Sequence, residues 1–334
     1  MSPGTASSAK RRSSAVVSWA IAVLALTLVT VGMLALAMTA DDDERTMSLA
    51  VVPHPDDEFQ MWSLLEQTPR EYKVFVSLTQ GEESGFCEPD MLEGALQADL
   101  GEVPPSPTPT GRWTAECKEA RMASLLGYLS QMSESDASIP GDFAAGRSIE
   151  LPAGATSPCR IDDGVEDCEG AREVRVWTDR QDRGAVVAFD LGDGDLTTAE
   201  IGWALRSVID ERAALGIDED LRIGAALGAF ANDHHRCHSY PHPDHLAVHD
   251  ALRTIDLNIG PQLAATCFAD PAQSLTSLVS RGSADAAFSL GPHGERLGAH
   301  PRHYGWLSVS TYPLGGFLQS ELFMRLQSFW VAFN

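Results

Sequence analysis

Hydrophobic positions recur with two different periods along the chain, and the two kinds of segment alternate. Short valine-rich runs such as SLAVV (48–52) and KVFVSL (73–78) are typical of buried strands, and MWSLLEQT between them has a helical pattern. Later strand-like runs are EVRVW, AVVAFDL and RIGAAL, and later helical segments are ECKEARMASLLGYL and TTAEIGWALRSVIDERAALG. This alternation predicts an α/β, Rossmann-like fold, with a mostly parallel sheet covered by helices on both faces.

Two polar stretches interrupt this alternation. Residues 84–111 carry Gly, Pro and acidic side chains and end in PPSPTPTG, which indicates a long surface loop. Residues 133–170 are polar and rich in Gly, as is typical of an insertion. We therefore expect residues 46–334 to form a single domain with loop insertions.

The first 45 residues differ in composition and are predicted to be a cytoplasmic stub followed by a signal peptide or a membrane anchor. No charged residue occurs from 13 to 40, three basic residues precede this stretch at 10–12, and four acidic residues follow it at 41–44. The apolar run is long enough to span a bilayer, and small residues near position 40 offer a signal peptidase site. Both alternatives predict that the domain lies outside the cytoplasm.

The charge of the chain limits its partners. The formal net charge is −23, from 24 basic and 47 acidic residues. A strongly acidic surface repels nucleic acid and anionic lipid headgroups. We therefore expect no nucleic-acid partner, and contact with a membrane only through the N-terminal segment.

The cysteines also indicate export. All of them follow the N-terminal segment, and an even number predicts disulfide bonds formed in an oxidising compartment. The six are Cys87, Cys117, Cys159, Cys168, Cys237 and Cys267. Many pairings are possible, and the short polar loop CRIDDGVEDC favours a bond between Cys159 and Cys168.

The stretch VVPHPDDEF (51–59) places a histidine and three adjacent acidic residues directly after the first predicted strand. In parallel α/β sheets, binding and catalytic groups collect beyond the carboxyl ends of the strands. Pro55 is well placed as the first residue of a helix, and Asp56, Asp57 and Glu58 could simply form its first turn, where acidic side chains are favoured.

A second His-Pro-Asp sequence favours a functional interpretation instead. His242, Pro243, Asp244 and His245 follow the strand-like run RIGAAL, and a periodic apolar segment continues to Ile255. Nine of the ten histidines lie after residue 233, which is unusual for scattered surface histidines. Two strand ends therefore offer imidazole and carboxylate groups to one site.

A divalent cation explains why carboxylates are crowded together, because its charge offsets their repulsion and lets a neighbouring carboxylate stay ionised. Imidazole and carboxylate ligands without cysteine favour zinc, with iron or manganese as alternatives. Two histidines and one aspartate would leave a position for water, as in catalytic zinc sites. Adjacent helical residues project about 100° apart, so Asp56 and Asp57 are not both expected on one ion, and one of them can accept a proton.

Three motifs resemble the N-acetylglucosaminyl-phosphatidylinositol de-N-acetylase family, also called PIG-L or LmbE-like, whose members are zinc amidases on a Rossmann-like sheet. The motifs are PHPDDE at 53–58, TQGEESG at 79–85 and HPDH at 242–245. The resemblance covers roughly residues 47–130 and 220–255. It fades in ECKEARMASLLG and toward the C-terminus, which are the parts that shape the substrate pocket.

The resemblance assigns a role to each motif residue. It implies that the metal ligands are His54, Asp57 and His245. It implies that Asp56 is the general base, that His242 stabilises the oxyanion or protonates the leaving amine, and that Asp244 orients or tunes His242.

These expectations combine into one function. They predict an exported, metal-dependent hydrolase that removes an N-acyl group from an amino sugar or glycoconjugate, with acetyl as the favoured acyl group. One alternative is an amidase that acts on a non-sugar acyl amide. Another is a catalytically silent carbohydrate-binding or cell-surface module, which the carboxylate of Asp56 disfavours because a binding module has no need of it.

Overall fold

A computed structural model describes residues 45–92, 108–162, 165–167, 170–232, 239–267, 274–290, 296–298 and 323–332. The strands are β1 Thr46–Val52, β2 Glu71–Ser77, β3 Arg147–Glu150, β4 Arg160–Asp162, β5 Val165–Asp167, β6 Glu173–Thr178, β7 Gly184–Ala188, β8 Arg222–Gly228, β9 Gln262–Thr266, β10 Ser274–Leu278, β11 Phe288–Leu290, β12 Arg296–Gly298 and β13 Leu326–Ala332. The α-helices are α1 Trp62–Leu65, α2 Pro89–Leu92, α3 Ala115–Ser135, α4 Thr198–Asp210, α5 Arg212–Leu215, α6 Pro243–Thr254 and α7 Arg281–Ala287. Short 3-10 helices occupy Glu58–Met61, Gly85–Cys87 and Gly170–Arg172.

Nine strands form one sheet in the order β10-β13-β9-β8-β1-β2-β7-β6-β3. Five central strands pair in parallel, in the order β9-β8-β1-β2-β7. The strands beyond them on both sides are antiparallel. The fold is therefore α/β with a Rossmann-like parallel centre, as predicted. Its strand order runs outward in both directions from β1, so a topological switch point lies between β1 and β8.

Strand β1 shows why helices cover both faces of this sheet. Its side chains alternate between two hydrophobic clusters, with Met47, Leu49 and Val51 in one and Ala50 and Val52 in the other. The first cluster includes residues of α4, α5 and α6, and the second includes residues of α1, α3 and α7. A strand buried on both faces reads as a continuous apolar run, which is the pattern of SLAVV.

Two local expectations differ from the structure. The helix predicted to begin at Pro55 begins at Glu58, and residues 53–57 form a turn, so these acidic residues are not one helical first turn. The stretch 133–170 is not wholly an insertion, because α3 continues through Ser135 and β3 pairs with β6 at the edge of the main sheet. The second His-Pro-Asp sequence does begin a helix, with Pro243 as the first residue of α6.

A disulfide bond joins Cys87 to Cys117, with a Cα–Cα distance of 5.5 Å. Cys159 and Cys267 are also disulfide-bonded, while Cys168, in the predicted pair with Cys159, lies outside the described residues. No helix in the described ranges is long and apolar enough to cross a membrane. The predicted N-terminal signal or anchor lies outside those ranges.

Candidate metal centre

The predicted site residues meet at the switch point of the sheet. His54, Asp56 and Asp57 lie in the turn after β1, and Asp244 and His245 lie in the first turn of α6. The turn after β1 is held by the motif after β2, because the backbone N–H and the hydroxyl of Thr79 both donate to the carbonyl of Pro53. The two His-Pro-Asp sequences, nearly 190 positions apart, are thus brought together as expected.

One carboxylate oxygen lies between two imidazoles. Asp57 Oδ2 is 3.3 Å from His54 Nδ1 and 3.3 Å from His245 Nε2. The ligand atoms of these three buried residues all lie within 4.8 Å of one another. Ligands bound about 2.0–2.1 Å from a tetrahedral zinc ion are themselves roughly 3.3 Å apart. The spacing of these three atoms therefore fits a small tetrahedral cation.

Hydrogen bonds on the far side of each ring direct a lone pair toward Asp57. His245 Nδ1 lies 2.6 Å from the carbonyl oxygen of Phe230, which can only accept, so Nδ1 carries the proton. Nε2 of His245 is then an acceptor, and it is buried with no hydrogen-bond partner in the part of the chain described here. His54 Nε2 lies 3.0 Å from Asp244 Oδ2, which likewise leaves Nδ1 as the ligand atom. This arrangement is typical of metal-binding histidines.

Asp193 is a site residue that the sequence analysis missed. It lies in the loop after β7, and its Oδ1 is 3.1 Å from His54 Nε2. Its other oxygen accepts from the backbone N–H of Glu83, in the motif after β2. The acidic, glycine-rich segment DLGDGDL after the strand-like run AVVAF was the available signal, since it also follows a parallel strand.

Asp244 is hydrogen-bonded to His54, and one of its oxygens also lies within 4.8 Å of a ring nitrogen of His242. Its Oδ2 accepts from the N–H of Gly194 at 2.8 Å as well as from His54, and its Oδ1 accepts from the N–H of Leu196 at 3.0 Å. Its negative charge also opposes the lowering of the His242 pKa. Asp244 is therefore placed to orient a predicted metal ligand.

The pKa shifts of His54 and Asp57 show that the site favours a positive charge. Burial alone would lower the pKa of His54, but contacts with Asp193, Asp244 and Asp57 outweigh burial and raise that pKa well above its ordinary value. Burial alone would raise the pKa of Asp57, but the facing imidazoles of His245 and His54 hold that pKa below its usual range. The cluster of carboxylates therefore stabilises positive charge at this point, whether a proton or a metal ion carries it.

The carboxylate of Asp56 is paired with a basic side chain. Arg121 of α3, 2 % exposed, donates from Nη1 to Asp56 Oδ2 at 3.2 Å. Burial raises the pKa of Asp56, Arg121 opposes that effect and Asp57 adds to it, with a net upward shift. Gly81, with φ of +68°, makes room for this pair, because a Cβ there would lie 2.6 Å from Arg121 Nε. Asp56 is thus a buried carboxylate beside the predicted ligands.

His242 lies on the open side of the site. Its ring centroid is 4.8 Å from that of His54, and Tyr240 stacks on it at 6.1 Å. Its Nδ1 atom is buried and has no hydrogen-bond partner within the described ranges. Burial and the neighbouring imidazoles of His54 and His245 lower the pKa of His242 below its ordinary value.

A cavity of about 290 Å³ opens onto these groups. Its lining combines charged, polar and aromatic side chains with two glycines of the motif after β2. The lining residues are His54, Asp56, Gly81, Glu83, Ser84, Gly85, Arg112, Arg121, Asp193, Tyr240 and His242. The volume is near the lower end of the range for small-molecule sites, roughly 300–1,000 Å³.

No protein-family model matches the chain, and no curated protein matches it either. The resemblance to the PIG-L or LmbE-like family therefore remains a prediction from three motifs. What the fold and the site define is an α/β protein with a buried His and Asp group that could bind a metal ion at the switch point of its sheet.

Proposed function

We propose that the protein is a zinc-dependent hydrolase that removes an N-acyl group from an amino sugar or glycoconjugate, with acetyl as the favoured acyl group. The observation that carries the proposal is the convergence of His54 Nδ1, Asp57 Oδ2 and His245 Nε2 beside a different carboxylate, Asp56, that lines a cavity. A metal-binding site alone needs no further carboxylate, whereas hydrolysis needs a proton acceptor.

The donor set supports zinc. Two neutral imidazoles and one carboxylate, without thiolate, match three-ligand catalytic zinc sites, which keep a further position open. A zinc ion bound there supplies a Lewis acid and lowers the pKa of a water molecule to about 7. Iron and manganese accept the same donors and are the alternatives.

Asp56 is proposed to accept the proton of the attacking water. It lines the cavity, is 5 % exposed, and has a pKa that burial raises, which makes it a better base than an ordinary aspartate. Arg121 holds one of its oxygens at 3.2 Å and so fixes the orientation of the carboxylate. Addition of the water oxygen to the amide carbonyl carbon then leaves the proton on Asp56.

His242 is proposed to complete the reaction. It lines the same cavity as Asp56, and its lowered pKa leaves the ring neutral near pH 7, so that it can take up a proton and pass it on. The proton that Asp56 took from the water passes by way of His242 to the amide nitrogen as the C–N bond breaks. The new carboxyl group releases its own proton to solvent, so the products are a carboxylate and a free amine.

The substrate class rests on the cavity lining and on the motif resemblance. Charged and hydroxyl groups, including Arg112, Glu83 and Ser84, offer hydrogen-bond partners for several hydroxyl groups of a sugar. Tyr240 offers an aromatic face at the edge of the cavity. A cavity of this size holds a small polar head group, while the remainder of a larger conjugate would extend into solvent.

Acetate release from N-acetylglucosamine conjugates tests this function. The purified full chain, loaded with zinc, is compared with Asp56→Asn, using a panel that also contains N-acyl amino acids and other simple amides. We expect acetate from the sugar conjugates and a loss of at least about 100-fold in Asp56→Asn, since general base catalysis contributes about 10²–10⁴-fold. Release only from non-sugar amides would redirect the proposal to a general amidase. Metal binding without release of any acid from the panel would favour a binding module.

A further inference from the structure

Gln60 is a buried polar side chain that contacts both halves of the metal centre. It lies in the 3-10 helix Glu58–Met61 and is 3 % exposed. Its Nε2 donates to Asp57 Oδ1 at 2.9 Å, and its Oε1 accepts from the backbone N–H of Phe230 at 2.6 Å. One amide therefore connects the turn after β1 with the segment after β8.

The connection continues to the second imidazole. The carbonyl oxygen of Phe230 accepts from His245 Nδ1 at 2.6 Å, which is the contact that fixes the tautomer of that ring. Asp57 and His245, which lie 3.3 Å apart at their ligand atoms, are thus also joined on their far sides through Gln60 and Phe230.

The same amide determines which oxygen of Asp57 is available. Because Gln60 donates to Oδ1, only Oδ2 faces the imidazoles of His54 and His245. A carboxylate held in this way binds through a single oxygen. A metal-ligating carboxylate that is itself hydrogen-bonded is better fixed in direction, and loss of such a partner typically costs 10–100-fold in metal affinity.

We infer that Gln60 is a positioning residue that sets the spacing between Asp57 and His245 and so determines the affinity of the metal centre. The inference rests on the metal site of the proposed function, but not on its substrate. Gln60 does not line the cavity and so is not proposed to touch the substrate.

Zinc affinity, measured by competition with a chromophoric chelator, tests the inference without an activity assay. In Gln60→Met, a side chain of similar length replaces the amide and removes both hydrogen bonds. The matched control is Gln262→Met, because Gln262 is likewise buried, at 2 % exposed, and also bonds to backbone, at Leu252 near the end of α6 and at Ile255 and Leu257 just after it. We expect zinc affinity to fall about 10–100-fold in Gln60→Met and less than about threefold in Gln262→Met.

Two further measurements separate positioning from a general loss of stability. Gln60→Asn keeps an amide but is one methylene too short to reach both partners, so it should also bind zinc more weakly while retaining a native circular dichroism spectrum. The visible spectrum of the cobalt-substituted protein should change in the Gln60 variants and not in Gln262→Met, since it reports ligand geometry.

The outcomes are distinguishable. Wild-type zinc affinity and an unchanged cobalt spectrum in whichever Gln60 variant folds would overturn the inference and leave the proposed function standing. An equal loss of affinity in Gln262→Met would also overturn it, because the effect would then be one of stability. If the wild-type chain itself binds no zinc, both this inference and the proposed function fail.

Discussion

Asp244 and His54 are joined by a hydrogen bond of 3.0 Å between Oδ2 and Nε2, although they lie 190 positions apart. Asp244 is fully buried, and both of its oxygens also accept from the backbone of the loop after β7. The carboxylate therefore has no freedom to turn away, and the proton of His54 is held on Nε2. Nδ1 is consequently the ring atom that faces Asp57 Oδ2, 3.3 Å away.

Asp244→Asn should weaken metal binding about 10–100-fold. Every oxygen of Asp244 faces an N–H donor, so either orientation of an asparagine amide places its NH₂ group against a donor. The less costly way to avoid this contact between two donors is a change of His54 tautomer. That change would move the proton to Nδ1 and block the ligand atom. Competition with a chelator measures the loss. Asp195→Asn is the control, because Asp195 lies in the same loop but is exposed, and equal losses in both variants would contradict this role for Asp244.

Metal content should distinguish the two predicted histidine ligands from the predicted base Asp56. His245→Ala, which removes a ligand atom, should reduce bound zinc from about one ion per chain to a small fraction, and His54→Ala should do the same. Asp56→Asn should keep its zinc, because the Asp56 carboxylate is paired with Arg121 and is not one of the three clustered ligand groups. Elemental analysis after dialysis against a weak chelator gives the ratio. Full metal in both histidine variants would eliminate this ligand set.

The Cys87–Cys117 bond should matter for substrate binding more than for metal binding. It attaches the turn that follows the cavity-lining residues Ser84 and Gly85 to the first turn of α3, the helix that carries Arg121. The bond closes a loop with a sequence separation of 30. In the chain-entropy view it contributes about 3–4 kcal/mol to stability.

Replacing both cysteines by alanine should therefore lower Tm and raise KM several-fold, with kcat and zinc content close to wild type. Steady-state kinetics at a temperature well below the Tm of the variant give the two parameters. A variant that is less stable but has an unchanged KM would show that the bond does not shape the cavity. A loss of zinc would show that it supports the metal centre instead.

The parallel centre of the sheet could be predicted because it depends on local patterns. Strands such as β1 are apolar on both faces, and their lengths follow directly from the valine-rich runs. The edges of the sheet could not be predicted in the same way. Strand β3 reads RSIE, which is polar because an edge strand is exposed, and β13 inserts between β9 and β10 through pairings that no local pattern specifies.

The candidate site, like the sheet, could be predicted only where it depends on local sequence patterns. His54, Asp57 and His245 belong to two recognisable motifs at strand ends, so their meeting could be predicted from topology. Asp193 and Gln60 belong to no such motif, and their roles depend on contacts between segments far apart in sequence. The acceptor of the His245 proton is a backbone carbonyl, which every residue has, so no side-chain pattern can identify it.

His249 should make the folded state less stable as the pH falls from about 6.5 to about 4. It lies one helical turn after His245, and both nitrogens are in use, since Nε2 donates to the carbonyl of Ala229 at 2.9 Å and Nδ1 accepts from Trp330 Nε1 at 3.1 Å. Burial lowers the pKa of His249 to about 4, and the positive charge of Arg253 acts in the same direction, while hydrogen bonds to backbone at Ala229 and Ala265 offset the shift only in part. Between these two pH values the unfolded chain binds a proton that the native state does not bind, so unfolding becomes more favourable as the pH falls.

The size of this effect follows from the shift in pKa, from 6.5 to about 4, and amounts to roughly 3 kcal/mol across the full range. Urea unfolding of the wild type and of His249→Gln at a series of pH values measures it. Glutamine can still donate and accept but does not titrate. The difference in free energy of unfolding between the two proteins should therefore shift in favour of the variant as the pH falls through this window, while the many other ionisable groups cancel. If the free energies of unfolding of the two proteins differ by the same amount at every pH from 7 to 4, His249 accepts its proton without penalty. Its two hydrogen bonds would then not fix its neutral form.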